Sequence, residues 1–171
     1  MQLRNAVDAD ALVLEKLMRA YVQETFGVAW SGSTDSVAHA RAQGVLKVVV
    51  ASDVDRPVAF AAWIRTFDMR QGMAGGEILD LYVSPWDRGR GVAARLVTRV
   101  AAEVQRAGGG YLRGQALEDS PVERLYKRVA VPHPGANIHV GGRAFRVLAS
   151  LENASVREIV SRLPERSWNR Q

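Results

Sequence analysis

The 171-residue chain predicts an α/β domain, with helices packed on a mixed sheet. Three observations lead there. Two apolar runs at 45–52 and 57–67 flank the turn signal DVDR, the pattern of an antiparallel hairpin. A third run, EILDLYVS at 77–84, stops at Pro85, and a helical pattern and a strand candidate at 111–117 follow it. A hairpin followed by strand, helix and strand is the order of a mixed sheet covered by helices. The proportions, 47% apolar and 24% charged, are those of a globular protein. A chain of this length can bury about 68–70% of the surface that its unfolded form exposes. One domain over 1–171 is therefore expected, with no cysteine to staple it or to supply thiolate metal ligands.

Each element has its own signal. Residues 2–6 read as a short edge strand. Asp8 opens a helical pattern whose Leu14, Leu17, Met18, Tyr21 and Val22 share one face, and Gly27 stops it. The polar stretch around SGSTDS predicts a loop and then a short helix near 34–42. The clearest helix spans 91–107. Val92, Leu96, Val100 and Val104 recur every four residues, while Arg95, Arg99, Glu103 and Arg106 form a separate charged stripe. Gly108-Gly109-Gly110 ends it. Pro121 starts a short helix over 121–129, at the position where a missing N–H costs nothing. Further on, 138–148 reads as a hairpin across Gly141-Gly142 or as one strand, and Ser155 caps a last helix that Pro164 ends.

The charge is lopsided: net +5, with 20 Arg and 3 Lys among the bases. A GC-rich coding sequence produces such a skew, and so does a polyanionic partner. No recognition-helix motif or basic stripe interleaved with aromatics accompanies it, so nucleic acid is not an expected partner. No run approaches the ~20 apolar residues of a membrane span, and MQLRNAVDADA has no signal-peptide apolar core. Cytoplasmic residence without a membrane partner is the expectation. His39, His133 and His139 have no metal-ligand spacing, and no metal site is expected.

Chemistry concentrates in EILDLYVSPWDRGRGVAARL, 77–96. Here a strand ends, a short turn follows and an amphipathic helix begins. Small residues at that junction let the backbone approach a ligand, and the first-turn N–H groups have no intrahelical partners. With the positive end of the helix dipole they suit a phosphate. Arg88 and Arg90 would add charge-assisted donors; their blander role is as solvated surface residues. The turn is not a Walker loop, because Gly-Lys-Ser/Thr is missing, and it lacks the Gly-x-Gly-x-x-Gly of a dinucleotide fold.

Arg88-x-x-Gly91-x-Ala93, after a strand reading LYVSP, resembles the acyl-CoA signature Gln/Arg-x-x-Gly-x-Gly/Ala of the GNAT superfamily of N-acetyltransferases. LRNAVDADA resembles that family's opening strand and helix, the 45–67 hairpin falls where the family has one, and DSPVERLYKR at 119–128 resembles its later helix. The resemblance covers roughly 2–130. It implies a mostly antiparallel, twisted central sheet splayed around a CoA site and flanked by helices. It also implies acetyl-CoA as donor and direct transfer to a primary amine, first of a small molecule and second of a protein Lys or N-terminus. A homodimer is common among such relatives.

Carried over by position, the amides of Arg88, Gly89, Arg90, Gly91, Val92 and Ala93 would hold the CoA pyrophosphate. The backbone of Leu81, Tyr82 and Val83 would pair with the pantetheine arm, and a strand amide there would face the oxyanion. Tyr126 matches the tyrosine that protonates the leaving thiolate and lies beside the cofactor. Asp119 stands where the family has Asn at the start of the later helix, a cofactor contact by position, although Glu118 and Asp119 equally suit a helix cap. Glu77 and Asp80 match two alternative positions for the general base. An amine attacks only when neutral, so a proton acceptor or a water chain is needed. In a regular strand Glu77 and Asp80 fall on opposite faces, and a bulge would change that. Tyr21, Phe26, Trp30 and Trp63 are candidates for an acceptor pocket, with core packing as the commoner role for such spacing. Val122, Ala130 and Val131 depart from the family pattern, which motivates a rival reading as a non-catalytic acyl-CoA-binding module.

Overall fold

Val48–Ala51 and Val58–Trp63 are buried on both faces, which is why they read as continuous apolar runs rather than alternating ones. They form the centre of a five-stranded sheet in a computed structural model that describes residues 1–54 and 56–115. The segments expected at 121–129, 138–148 and 155–163 lie outside those residues.

In chain order the elements are β1 (Gln2–Asn5), a 3-10 turn (Asp8–Asp10), α1 (Ala11–Phe26), α2 (Thr34–Ala42), β2 (Lys47–Asp53), β3 (Arg56–Asp68) and β4 (Met73–Val83). A second 3-10 turn (Pro85–Asp87), α3 (Val92–Arg106) and β5 (Tyr111–Gly114) follow. The sheet order is β1-β2-β3-β4-β5. Neighbours are antiparallel except β4 and β5, which run parallel across the α3 crossover. The expected mixed α/β architecture is the observed one.

The two faces carry separate cores. Val92, Leu96, Val100 and Val104 of α3 pack on Val49, Ala51, Ala59, Ala61, Trp63 and Ile78. Leu14 and Leu17 of α1 pack on the other face with Val48, Val50, Phe60, Ala62 and Tyr82. The period-four valines and leucine thus face inward, and Arg99 pairs with Glu103 at 2.8 Å on the outer side of α3. Among the described residues no helix is long and apolar enough to cross a membrane.

β4 begins four residues earlier than its sequence signal at 77. Gly75 and Gly76 lie within the ladder, opposite Thr66 and Arg65. Glycine has little strand propensity, but a Cβ would come 2.5 Å from the Tyr111 ring at Gly75 and 2.5 Å from Val104 at Gly76. Close packing of β5 and α3 against this strand requires both side chains to be absent.

Candidate active site

The register of β4 decides which of its side chains face which helix. Ala62 pairs with Asp80, yet the next residue, Trp63, pairs with Ile78, so Leu79 is an extra, bulged residue. On one side of it Ile78 packs with the α3 core. On the other, Tyr82 belongs to the α1 core and Asp80 meets Tyr21 of α1. Glu77, next to Ile78 in the strand, is thereby returned to the α1 face. The bulge puts Glu77 and Asp80 on one side of the sheet, correcting the opposite-face placement of a regular strand.

The Tyr21 hydroxyl lies beside the Asp80 carboxylate. Burial pushes the Asp80 carboxyl above its ordinary range, and the Tyr21 hydroxyl offsets this only in part. Burial first, and then the negative charge of Asp80, keep Tyr21 protonated far above the usual tyrosine range. The Tyr21 ring is fixed by edge-on contacts with Phe26 and Phe60, at centroid distances of 5.8 and 6.1 Å, and is tilted against Tyr82 at 6.0 Å.

After β4, Pro85–Asp87 forms its short turn and Arg88 is extended. Gly89 and Gly91 then adopt φ of +74° and +73° on either side of Arg90. Those angles suit glycine, and a Cβ at either position would meet no described atom within 4 Å. Gly91 is the N-cap of α3, and no side chain caps the helix. Among the described residues no side chain therefore caps the first-turn amides at the positive end of the helix, a fit to an anionic ligand that approaches the backbone closely.

The side chains of the two arginines point elsewhere. Arg88 Nε donates to the Val83 carbonyl at 2.9 Å, and its terminal nitrogen pairs with the Glu24 carboxylate at 2.6 Å. Arg90 donates to Asp87 at 2.9 Å and lies 3.4 Å from Asp53. Asp87 is 3% exposed. Each cation expected at the phosphate is thus tied to a carboxylate of the chain itself. Glu24, which also accepts from the Tyr82 hydroxyl at 3.3 Å, was not among the residues singled out by sequence. It lies three residues beyond Tyr21, hence on the same side of α1.

β5 pairs with β4 only from Gly75 to Ile78. Beyond the bulge no described strand continues along that edge, so the backbone of Leu81 and Val83 lies past the end of the pairing. Trp63 is a core residue on the α3 side, 1% exposed, and Phe26 is largely exposed. Trp30 lines a cleft of about 150 Å³ between α1 and α2 with Leu14 and Met18. Tyr126 and Asp119 lie outside the described residues. Among the described residues no group of His, Cys, Asp and Glu is arranged to hold a metal.

Among the described residues, β4 runs on past its last pair with β5, toward a glycine-led helix start that no side chain caps. The sequence matches the Acetyltransferase (GNAT) family over residues 14–130, and the chain belongs to that family of acyltransferases. No curated protein matches at a significant level. Among solved structures, ribosomal-protein-alanine N-acetyltransferase from Brucella melitensis biovar Abortus 2308 is similar with TM-score 0.69 and 17% identity, over 83% of this chain and 100% of that one. An aminoglycoside antibiotic 6'-N-acetyltransferase from Acinetobacter haemolyticus is similar with TM-score 0.62 and 16% identity, over 84% of this chain and 99% of that one. An aminoglycoside acetyltransferase from an uncultured soil metagenomic sample gives TM-score 0.67 and 17% identity, over 82% and 97%.

Proposed function

We propose that the chain transfers an acetyl group from acetyl-CoA directly to a primary amine of a small molecule. The observation that carries this reading is the open turn at residues 88–93, with Gly89 and Gly91 at positive φ and no side chain capping α3. Its amides would hold the donor's pyrophosphate, and the backbone of Leu81, Tyr82 and Val83, beyond the last described pair of β4 with β5, would lie along the pantetheine arm as an added strand. Bound acetyl-CoA supplies the acyl thioester.

Asp80 accepts the proton of the incoming ammonium on its carboxylate. Burial makes that carboxylate a stronger base than an exposed one. Glu77, on the same face, adds a second negative charge and favours a cationic acceptor. Tyr126 matches the family tyrosine and would give a proton to the departing thiolate. The chain has no cysteine, so no cysteinyl acyl-enzyme is part of the route. Likeness to two aminoglycoside acetyltransferases supports a small-molecule acceptor; likeness to the ribosomal-protein-alanine enzyme supports a protein α-amine as the second reading.

The test is an amine panel with free thiol as readout, covering aminoglycosides, polyamines and a peptide with a free N-terminus, beside an acetyl-CoA titration. Thiol release with a small amine is the expected result. Release with the peptide alone would move the acceptor to protein, and donor binding without any release would make the chain a binding module. Gly91→Glu, which sets a negative side chain and a strained backbone in the turn, abolishes acetyl-CoA binding; retained affinity would refute the phosphate turn.

A further inference from the structure

Arg88 opens the 88–93 turn, and its guanidinium ties that turn to two elements, β4 and α1. Nε donates to the Val83 carbonyl at the end of β4, at 2.9 Å. The terminal nitrogen lies 2.6 and 2.8 Å from the two Glu24 oxygens of α1. The guanidinium carbon sits 5.6 Å from the centre of the Tyr82 ring, and the Tyr82 hydroxyl donates to the same Glu24 carboxylate at 3.3 Å. A guanidinium presents its donors in a rigid planar fork, so fixing two of them fixes the direction of the whole group. That direction is toward β4 and α1.

We propose that Glu24 is a positioning residue for the acyl donor: it holds Arg88 as a strut between α1 and β4, which fixes where the 88–93 turn begins. The turn's amides, rather than the Arg88 guanidinium, then meet the phosphates. This rests on the reading of 88–93 as the donor's phosphate turn.

A strut and a phosphate ligand give effects of opposite sign at Glu24. If Arg88 is a strut, removing the Glu24 charge loosens the turn and weakens the donor. If Arg88 is a ligand, the same change frees the cation, removes a nearby negative charge and tightens binding. Glu24→Gln is the informative substitution, because glutamine keeps an acceptor for the Tyr82 hydroxyl.

The experiment is equilibrium titration of acetyl-CoA into the full chain as wild type, Glu24→Gln, Arg88→Met and the double variant. Glu24→Gln weakens binding by about fivefold, Arg88→Met does so to a similar extent, and the double variant is no weaker than Arg88→Met alone, as for two residues acting as one unit. The ligand-free thermal midpoint of Glu24→Gln stays within about 4 °C of wild type, as befits a half-exposed ion pair. Unchanged or tighter binding by Glu24→Gln overturns the proposal. So do losses that multiply in the double variant, and so does weaker binding with a larger fall in midpoint, which would make Glu24 merely structural. Full affinity in Gly91→Glu would instead refute the phosphate turn itself, whatever Glu24 does.

Discussion

Asp80 combines two properties that exposed carboxylates lack: a hydroxyl partner, Tyr21, and an environment that holds on to its proton. If Asp80 is the base proposed above, its protonated form could not accept the ammonium proton, and kcat/KM for the amine would fall on the acid side. Because burial raises the carboxyl, that limb lies above the ordinary value of 3.8. Asp80→Asn is expected to lower turnover by about a hundredfold or more and to remove the limb. A pH–rate profile of the variant checks both, and a wild-type profile would pass the base to Glu77 or water. Asp80, Glu77, Arg88 and Gly91 were all legible as a group in the motif of 77–96. Where the side chains go was not. Arg88 and Arg90 were expected to aim at phosphate, yet Glu24 and Asp87 hold them. Arg88 and Glu24 stand 64 positions apart, a separation at which periodicity carries no signal.

α3 was read correctly almost to the residue, because four buried positions at one spacing leave a single face for the core. Leu96 is fully buried against the sheet. Leu96→Ala should therefore cost about 3 kcal/mol of unfolding free energy, measurable in a urea titration; a loss below about 1 kcal/mol would mean that α3 does not anchor the sheet. β4 was harder, for two physical reasons. Its glycine start is dictated by what Tyr111 and Val104 need, not by its own propensity. Its bulge exists only relative to β3, since Leu79 is surplus by comparison with Ala62 and Trp63 and not by anything in EILDLYVS. One surplus residue changed the partner of every side chain before it, and with that the face of Glu77.

For the molecule as a whole, the arginines serve in good part to pair with the chain's own acids. Arg4, Arg19, Arg88, Arg90, Arg99 and Arg113 each pair with an acid of this chain; Arg19 and Arg99 do so within their own helices, while Arg4, Arg88 and Arg113 tie separate elements together. The best placed joins β1 to the entry of α1. Arg4 holds both oxygens of buried Asp10, at 2.6 and 2.8 Å, and the Val7 amide adds a third bond at 2.8 Å. The Arg4 hydrogen bonds, outweighing burial, hold the Asp10 carboxyl below its ordinary range. Its stabilisation is therefore present above the unfolded-chain value near 3.9 and is lost as pH falls through the lower folded value. Asp10→Asn should cost about 2 kcal/mol at pH 7. Urea titrations at pH 7 and near pH 3 should show the gap between wild type and variant narrowing in acid; a gap independent of pH would remove the charge from the account. The order of strands and helices could be read from local runs, whereas the ties between distant residues, Arg88 to Glu24 and Arg113 to Asp68, could not. The end of β5 pairing at Ile78 has a consequence for how the protein behaves in a crowded solution. Among the described residues nothing pairs with this edge of β4 beyond Ile78, and an unpaired strand edge is a template for any extended chain, including another copy's. Arg88 occupies the Val83 carbonyl at one rung of that edge, and the proposed donor, if it lies along the remaining rungs, would keep other chains off them as well as serve as substrate.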